Sequence, residues 1–267
     1  MRAMPWYALP LSIAVAAMVA TAAAAGLFFE STYADELVSF ATQGRAQDLV
    51  TLFWVVPMFG IALHYERQGL FVARVAWLGT LLYFTYTYLM ASVGLAYNEL
   101  FLLYVAIYGL SLGLLIVGLT HMRPDDIVWR FSYRFPRKAI AVFLIVLATS
   151  VAFMWLAPIV KSLIDGTPPP QLSEAVTQSL VVQALDLGII VPLACVAGVL
   201  LLDGAPVGYL LAGMTLVKAV TLGPAMIAMA AFLSAGGMPA PAPIWVFASL
   251  VTAGGGFLGY KYVRSLI

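Results

Sequence analysis

Residues 183–221 read QALDLGIIVPLACVAGVLLLDGAPVGYLLAGMTLVKAVT, two apolar runs joined by the turn Asp203-Gly204-Ala205-Pro206. A helix needs about 20 apolar residues to cross a bilayer, and each run supplies a stretch of that order. The first run contains Asp186 and the second Lys218. A charged side chain at the centre of a span costs at least about 2.5–3.5 kcal/mol, so such groups are retained where they pair or where they work. Asp186 lies 17 residues before Asp203, and Lys218 lies 15 residues after it. At 1.5 Å per residue in antiparallel helices, the two fall within roughly 3 Å of each other along the axis. A direct or water-bridged ion pair is expected if their faces agree.

The rest of the chain has the same character. Of its 267 residues, 63% are hydrophobic and 9% are charged, with a mean hydropathy of +1.01. Soluble domains carry roughly 25% charged residues. The polar side chains are too few to cover a water-facing surface, so the reading is all-α: a polytopic membrane helical bundle. Working outward from the hairpin gives eight transmembrane helices. They fall at about 5–29, up to about 65, 70–94, 100–120, 139–160, around Pro192, 207–233 and 244–260. Residues 29–43 are expected to be a polar connection with a short amphipathic turn. The stretch Thr21-Ala22-Ala23-Ala24-Ala25-Gly26 imitates a signal-peptidase site, but the run before it is longer than a signal core. The first helix is therefore expected to be retained.

Charge placement orients these spans. Eight spans put both termini on one side. Ten basic residues (Arg2, Arg67, Arg74, Arg123, Arg130, Arg134, Arg137, Lys138, Lys261 and Arg264) then share that side, against Arg45 and Lys161 on the other. The positive-inside rule makes the shared side cytoplasmic, with the chain multi-pass in the plasma membrane. The net charge of +1 argues against nucleic acid as a partner; the bilayer is the expected one. The lone Cys195 excludes an intramolecular disulfide and reads as a buried thiol.

The hairpin has a counterpart at a constant offset of 135 residues. Asp48 falls on Gln183, Thr51 on Asp186, Val56-Pro57 on Val191-Pro192, and Gly69 on Gly204. On the following helix Thr80 falls on Thr215, Tyr83 on Lys218 and Tyr86 on Thr221. This reads as a 4+4 parallel internal repeat: residues 1–122 form the first half, 123–138 a basic linker and 139–267 the second half. The match is confined to the middle two helices of each half. Within it, the polar positions recur at i, i+3 and so share one helix face. Lipid cannot satisfy them, so that face is expected to point into the bundle. Each proline should leave a carbonyl one turn earlier unpaired, near Phe53 and Gly188.

The candidate substrate- or ion-binding residues are therefore Asp186, Lys218, Asp48, Tyr83, Thr51, Gln183 and Thr215. Asp48 has a second reading, as an acid near a helix N-terminus stabilised by the dipole. Tyr83, Tyr86, Tyr88, Tyr97, Tyr104 and Tyr108 form a second cluster. Within it Tyr97, Tyr104 and Tyr108 recur at helical spacing and suggest one face, for packing and interfacial anchoring or for an apolar or cationic ligand. His64 and His121 read as helix-end residues, and Gly254-Gly255-Gly256 as a site of close helix approach. The basic linker reads mainly as a determinant of orientation. No H-E-x-x-H, G-x-S-x-G or cysteine cluster occurs, so the chain lacks standard hydrolase and zinc signatures. No cofactor or metal is expected. The leading function is a small secondary transporter or permease, taking a small molecule or a proton or ion. The alternatives are a receptor that holds a chromophore or ligand on Lys218, and a lipid-active enzyme with Asp48 or Asp186 as base.

Overall fold

The structure is a computed structural model that describes residues 3–174 and 176–267. Its long helices are α1 (Ala8–Phe28), α2 (Val38–Glu66), α3 (Phe71–Gly94), α4 (Phe101–Thr120), α5 (Arg137–Asp165), α6 (Val181–Leu202), α7 (Pro206–Ala235) and α8 (Ala242–Arg264). Among the described residues there is no sheet, only an isolated bridge between Phe131 and Leu266. Seven of these helices are long and apolar enough to cross a membrane, which makes the chain a multi-pass membrane protein. The helix outside that set is α3. Arg74 and the run Thr80, Tyr83, Thr85, Tyr86, Thr87, Tyr88 make it more polar, and most of its residues are buried.

That polarity follows from position. Helices α3 and α7 pack on each other at the centre, and the remaining helices pack around them. Two glycines set the close approach: a Cβ on Gly79 would stand 2.5 Å from Cβ of Val217, and one on Gly213 would stand 2.6 Å from Val75. Helix α1 joins the bundle through Trp77, whose indole N–H donates to Ser12 at 3.1 Å. The outer surface carries exposed Phe53, Ile61, Phe153, Val196, Leu250 and Phe257. An apolar exterior around a polar-containing centre suits lipid as solvent. Cys195 belongs to that exterior: it is exposed rather than the buried thiol expected, because its helix turns this face away from the bundle.

Helices α2 and α6 share an irregularity. Residues 51–55 and 186–190 each form a π-turn, immediately before the Val-Pro pairs at 56–57 and 191–192. Proline has no N–H to give to the preceding turn and its ring crowds it, and the wider turn makes room. The expected disturbance near Phe53 and Gly188 thus takes the form of an extra residue in the turn. After each helix Gly69 and Gly204 take positive φ, +78° and +74°, and α3 and α7 start two residues later. Helix α2 starts at Val38, earlier than the polar composition of residues 29–43 suggests, because this turn packs against α1 and α7.

The two ends of the bundle differ. At one end Phe71, Phe131, Phe135, Tyr209 and Tyr262 form an aromatic cluster with ring centroids 4.6–6.0 Å apart. The basic linker pairs there with the C-terminus, Ser132 N–H donating to Ser265 at 2.8 Å and Ile267 N–H to Arg130 at 2.9 Å. A buried ion pair between Arg74 and Glu66 lies beneath. At the other end the short loops interlock, with Asn98 donating to Thr32 at 3.2 Å and Ala96 N–H to Glu36 at 2.6 Å.

Candidate functional site

The end away from the aromatic cluster is hollow. A cavity of about 280 Å³ runs between α2, α3, α5, α6, α7 and α8. Thr215 and Lys218 border it toward the middle of α7, and Ala240 and Ile244 border it at the loop end. Most of its wall is apolar, with Leu147, Met154, Leu222, Met226 and Phe247 among the lining side chains. Its ionisable lining consists of Asp48, Asp186, Lys218 and three tyrosines beside them: Tyr33, Tyr86 and Tyr88, with Tyr104 farther along the same wall.

Asp186 opens the π-turn of α6. Tyr86 donates its hydroxyl to Oδ1 at 2.6 Å, and Trp155 donates its indole N–H to Oδ2 at 2.8 Å. Lys218 is 3% exposed, and its Nζ has no hydrogen-bond partner among the described residues. It lies 3.8 Å above the ring centroid of Tyr86 and 4.8 Å from that of Tyr83. The direct ion pair expected from the helix register does not form. Tyr86 stands between the two charges, holding Asp186 with its hydroxyl and Lys218 with its ring face. A desolvated cation–π contact contributes about 2 kcal/mol, which offsets part of the cost of burying the ammonium.

Asp48 occupies a separate corner. It lies well inside α2, so the helix-terminus reading does not apply. Tyr33 donates to its Oδ2 at 2.7 Å, and among the described residues no cation pairs with it. Glycine makes the room: a Cβ on Gly26 would sit 1.9 Å from Oδ2 of Asp48, and one on Gly44 would sit 2.8 Å from the Tyr33 ring. Helix α1 thereby presents bare backbone to the carboxyl group.

The remaining candidates separate. Thr51 and Tyr83 share a 2.7 Å hydrogen bond in the buried interior, outside the cavity lining, although the Tyr83 ring reaches Lys218. Thr215 borders the cavity, but its hydroxyl donates to Leu211 O at 2.8 Å, just as Thr80 donates to Ala76 O at 2.8 Å. Gln183 is buried at the wall of a smaller cavity of about 110 Å³, shared with Gln43, Trp155 and Thr177. Tyr104 packs on Tyr88 with centroids 5.9 Å apart, whereas Tyr97 lies outside α4 and is exposed, so the expected single aromatic face breaks up. His64 contacts Gln68 at 3.1 Å, and His121 contacts Val117 O at 2.8 Å. Among the described residues no group of three His, Cys, Asp or Glu side chains is placed to hold a metal.

Two participants are absent from the sequence reading: Trp155 and Tyr33. Trp155 carried a usable signal, because an indole N–H within a long apolar helix needs an acceptor. Tyr33 carried none, since it lies in a connecting turn whose path decides what it meets.

No family model matches this chain, and no curated protein or solved structure matches it either.

Proposed function

We propose that the chain is a small secondary transporter whose substrate occupies the 280 Å³ cavity, with Asp186 and Lys218 as its charged site and Asp48 as a proton-carrying group. The observation that carries this reading is the cavity itself, bordered by three intramembrane ionisable residues on three different helices. Intramembrane ionisable residues are costly, and where they line a cavity they are the default candidates for a substrate or proton pathway. The arrangement also suits alternating access, with one end hollow and the other closed by the aromatic cluster and the Arg74–Glu66 pair.

In this reading α3 crosses with the other helices, giving eight spans with both termini on the cytoplasmic side of the plasma membrane. The halves are residues 1–122 and 139–267, joined by the basic linker 123–138. Support for a duplication comes from the π-turns, the positive-φ glycines and the starts of α3 and α7, all displaced by the same 135 residues. The central α3–α7 contact is where a two-fold axis along the membrane normal would pass.

The test compares cells expressing the wild type with cells expressing Asp186→Asn together with Lys218→Met, at matched membrane levels. Mass spectrometry of cells and medium should reveal at least one compound redistributed by the wild type alone. Identical profiles in the two strains sink the transporter reading.

The unpartnered Nζ of Lys218 favours a second reading, a receptor that holds an aldehyde as a Schiff base. Borohydride reduction of the purified protein separates the two readings. A mass increment on the peptide containing Lys218 supports the receptor, and an unmodified lysine supports the transporter.

A further inference from the structure

We propose that the cavity takes a small monocarboxylate with an apolar tail, its carboxylate on Nζ of Lys218; this deepens the transporter reading and rests on the cavity being its binding site. The inference begins from hydrogen-bond demand. Lys218 is the single basic residue lining the cavity among the described residues, and its buried ammonium has no acceptor. An ammonium has three donors and no acceptor capacity, and a buried donor left unmade is costly. The neighbouring acids do not meet that demand. Asp186 is turned to Tyr86 and Trp155, Asp48 faces Tyr33 and the backbone of Gly26, and neither reaches Nζ with a hydrogen bond. An incoming acceptor completes the site.

Charge and shape narrow the class. Asp48 and Asp186 line the cavity with the lysine, so a monoanion adds the least negative charge that can still meet Nζ, and a phosphate dianion would leave more charge uncompensated in a poorly solvated site. A cationic ligand would answer Asp48, but it brings no acceptor to Nζ and sets a like charge beside it. The faces of Tyr86 and Tyr83 are already covered by Lys218. Away from the acids and tyrosines, one stretch of the wall is methionine, leucine and phenylalanine, from Met90 through Leu222 and Met226 to Phe247. Such a wall offers a tail dispersion contacts and no hydrogen bonds. At 280 Å³ the cavity stands near the lower end of small-molecule sites, which run from about 300 to 1,000 Å³, so the tail is short.

The experiment uses the purified full chain in nanodiscs and three probes of equal chain length: octanoate, 1-octanol and octyltrimethylammonium. Equilibrium dialysis against empty nanodiscs measures saturable binding. The wild type should bind octanoate about tenfold or more tighter than octanol, in line with a charge-assisted hydrogen bond. Lys218→Met should bind both alike, and Lys218→Arg should keep the preference for the acid. Gel filtration and a melting curve confirm that each variant is folded; removing a buried charge leaves Lys218→Met at least as stable as the wild type. Tighter binding of octyltrimethylammonium, or an acid preference that survives in Lys218→Met, overturns the substrate class while leaving the cavity as a binding site. Absence of saturable binding for all three probes, unchanged when Leu222→Trp fills the cavity, overturns the cavity reading itself.

Discussion

The two proline-bearing hairpins carry the same scaffold with different chemistry at its centre. In the first, Thr51 at the start of the π-turn hydrogen-bonds Tyr83 of the next helix at 2.7 Å, and the pair is neutral and buried. In the second, the corresponding positions hold Asp186 and Lys218, which do not bond each other. A neutral pair satisfies itself locally. A charged pair needs a third party, and here the first hairpin supplies it: Tyr86 donates to Asp186 and lies under Lys218. The charged hairpin therefore depends on the neutral one, and the cavity lies where they meet. Backbone irregularities of one kind can evidently frame either a packing contact or a site, depending on two side chains.

The largest expected effect is on the charged side of this contrast. Lys218→Met should abolish transport, while Tyr83→Phe should leave it largely intact. Tyr83→Phe removes the partner of a buried Thr51 hydroxyl, and an unmade buried hydrogen bond costs about 1–3 kcal/mol. Its signature should be a lower melting temperature without lost uptake. Uptake that survives in Lys218→Met but fails in Tyr83→Phe would reverse the assignment of the two hairpins.

Next comes the bridge between them. Tyr86→Phe keeps the ring under Lys218 and removes the donor to Oδ1 of Asp186. Hydrogen bonds to charged groups contribute about 1.5–3 kcal/mol, so a loss of tenfold or more in transport rate is expected, with Trp155→Phe close behind. Both measured rates remaining at the wild-type level would show that Asp186 does not act through its donors.

Much of this was legible from residues alone. Hydropathy marks the membrane bundle, and a 135-residue offset in the sequence aligns the two prolines and the two glycines that take positive φ. Asp48, Asp186 and Lys218 stood out because lipid penalises them, and all three border one cavity. What sequence did not reveal was pairing. Register placed Asp186 and Lys218 at one depth, but depth leaves rotation about the helix axis free, and Tyr86 from another helix took the place between them. Tyr33 meets Asp48 only because the turn at residues 30–33 folds back over α2, and no periodicity encodes that path. Residues 70–94 read as a span in the sequence, yet α3 is less apolar than the seven other long helices, because its polar residues face its neighbours at the centre.

A third prediction probes Asp48 without altering it. Gly26→Leu places a side chain where Oδ2 of Asp48 now lies, so the carboxyl must swing away from Tyr33 or α1 must shift. Small-to-large changes in packed interiors cost about 1–3 kcal/mol, and the same order of loss is expected here. Proton movement in proteoliposomes, followed with a trapped pH indicator, should slow several-fold. Gly109→Leu, where a Cβ meets nothing within 4 Å, serves as the control with no effect. Equal behaviour of the two variants would remove Asp48 from the proton path.

The smallest effect is the sharpest test of how the two proline-bearing hairpins differ. Thr80 and Thr215 occupy matching positions and spend their hydroxyls alike, on the carbonyl four residues earlier. Such a bond competes with the helix's own ladder and adds little to stability. Thr80→Val and Thr215→Val should each move the melting temperature by a degree or two at most, and by the same amount. Only Thr215 borders the cavity. If its hydroxyl does no more than bond its own helix, transport is unchanged in both variants. A ligand that recruits this hydroxyl would make Thr215→Val raise the KM for substrate with kcat and the melting temperature unmoved, while Thr80→Val stays silent. That split would place the ligand's polar end at the level of Thr215, one turn from Lys218.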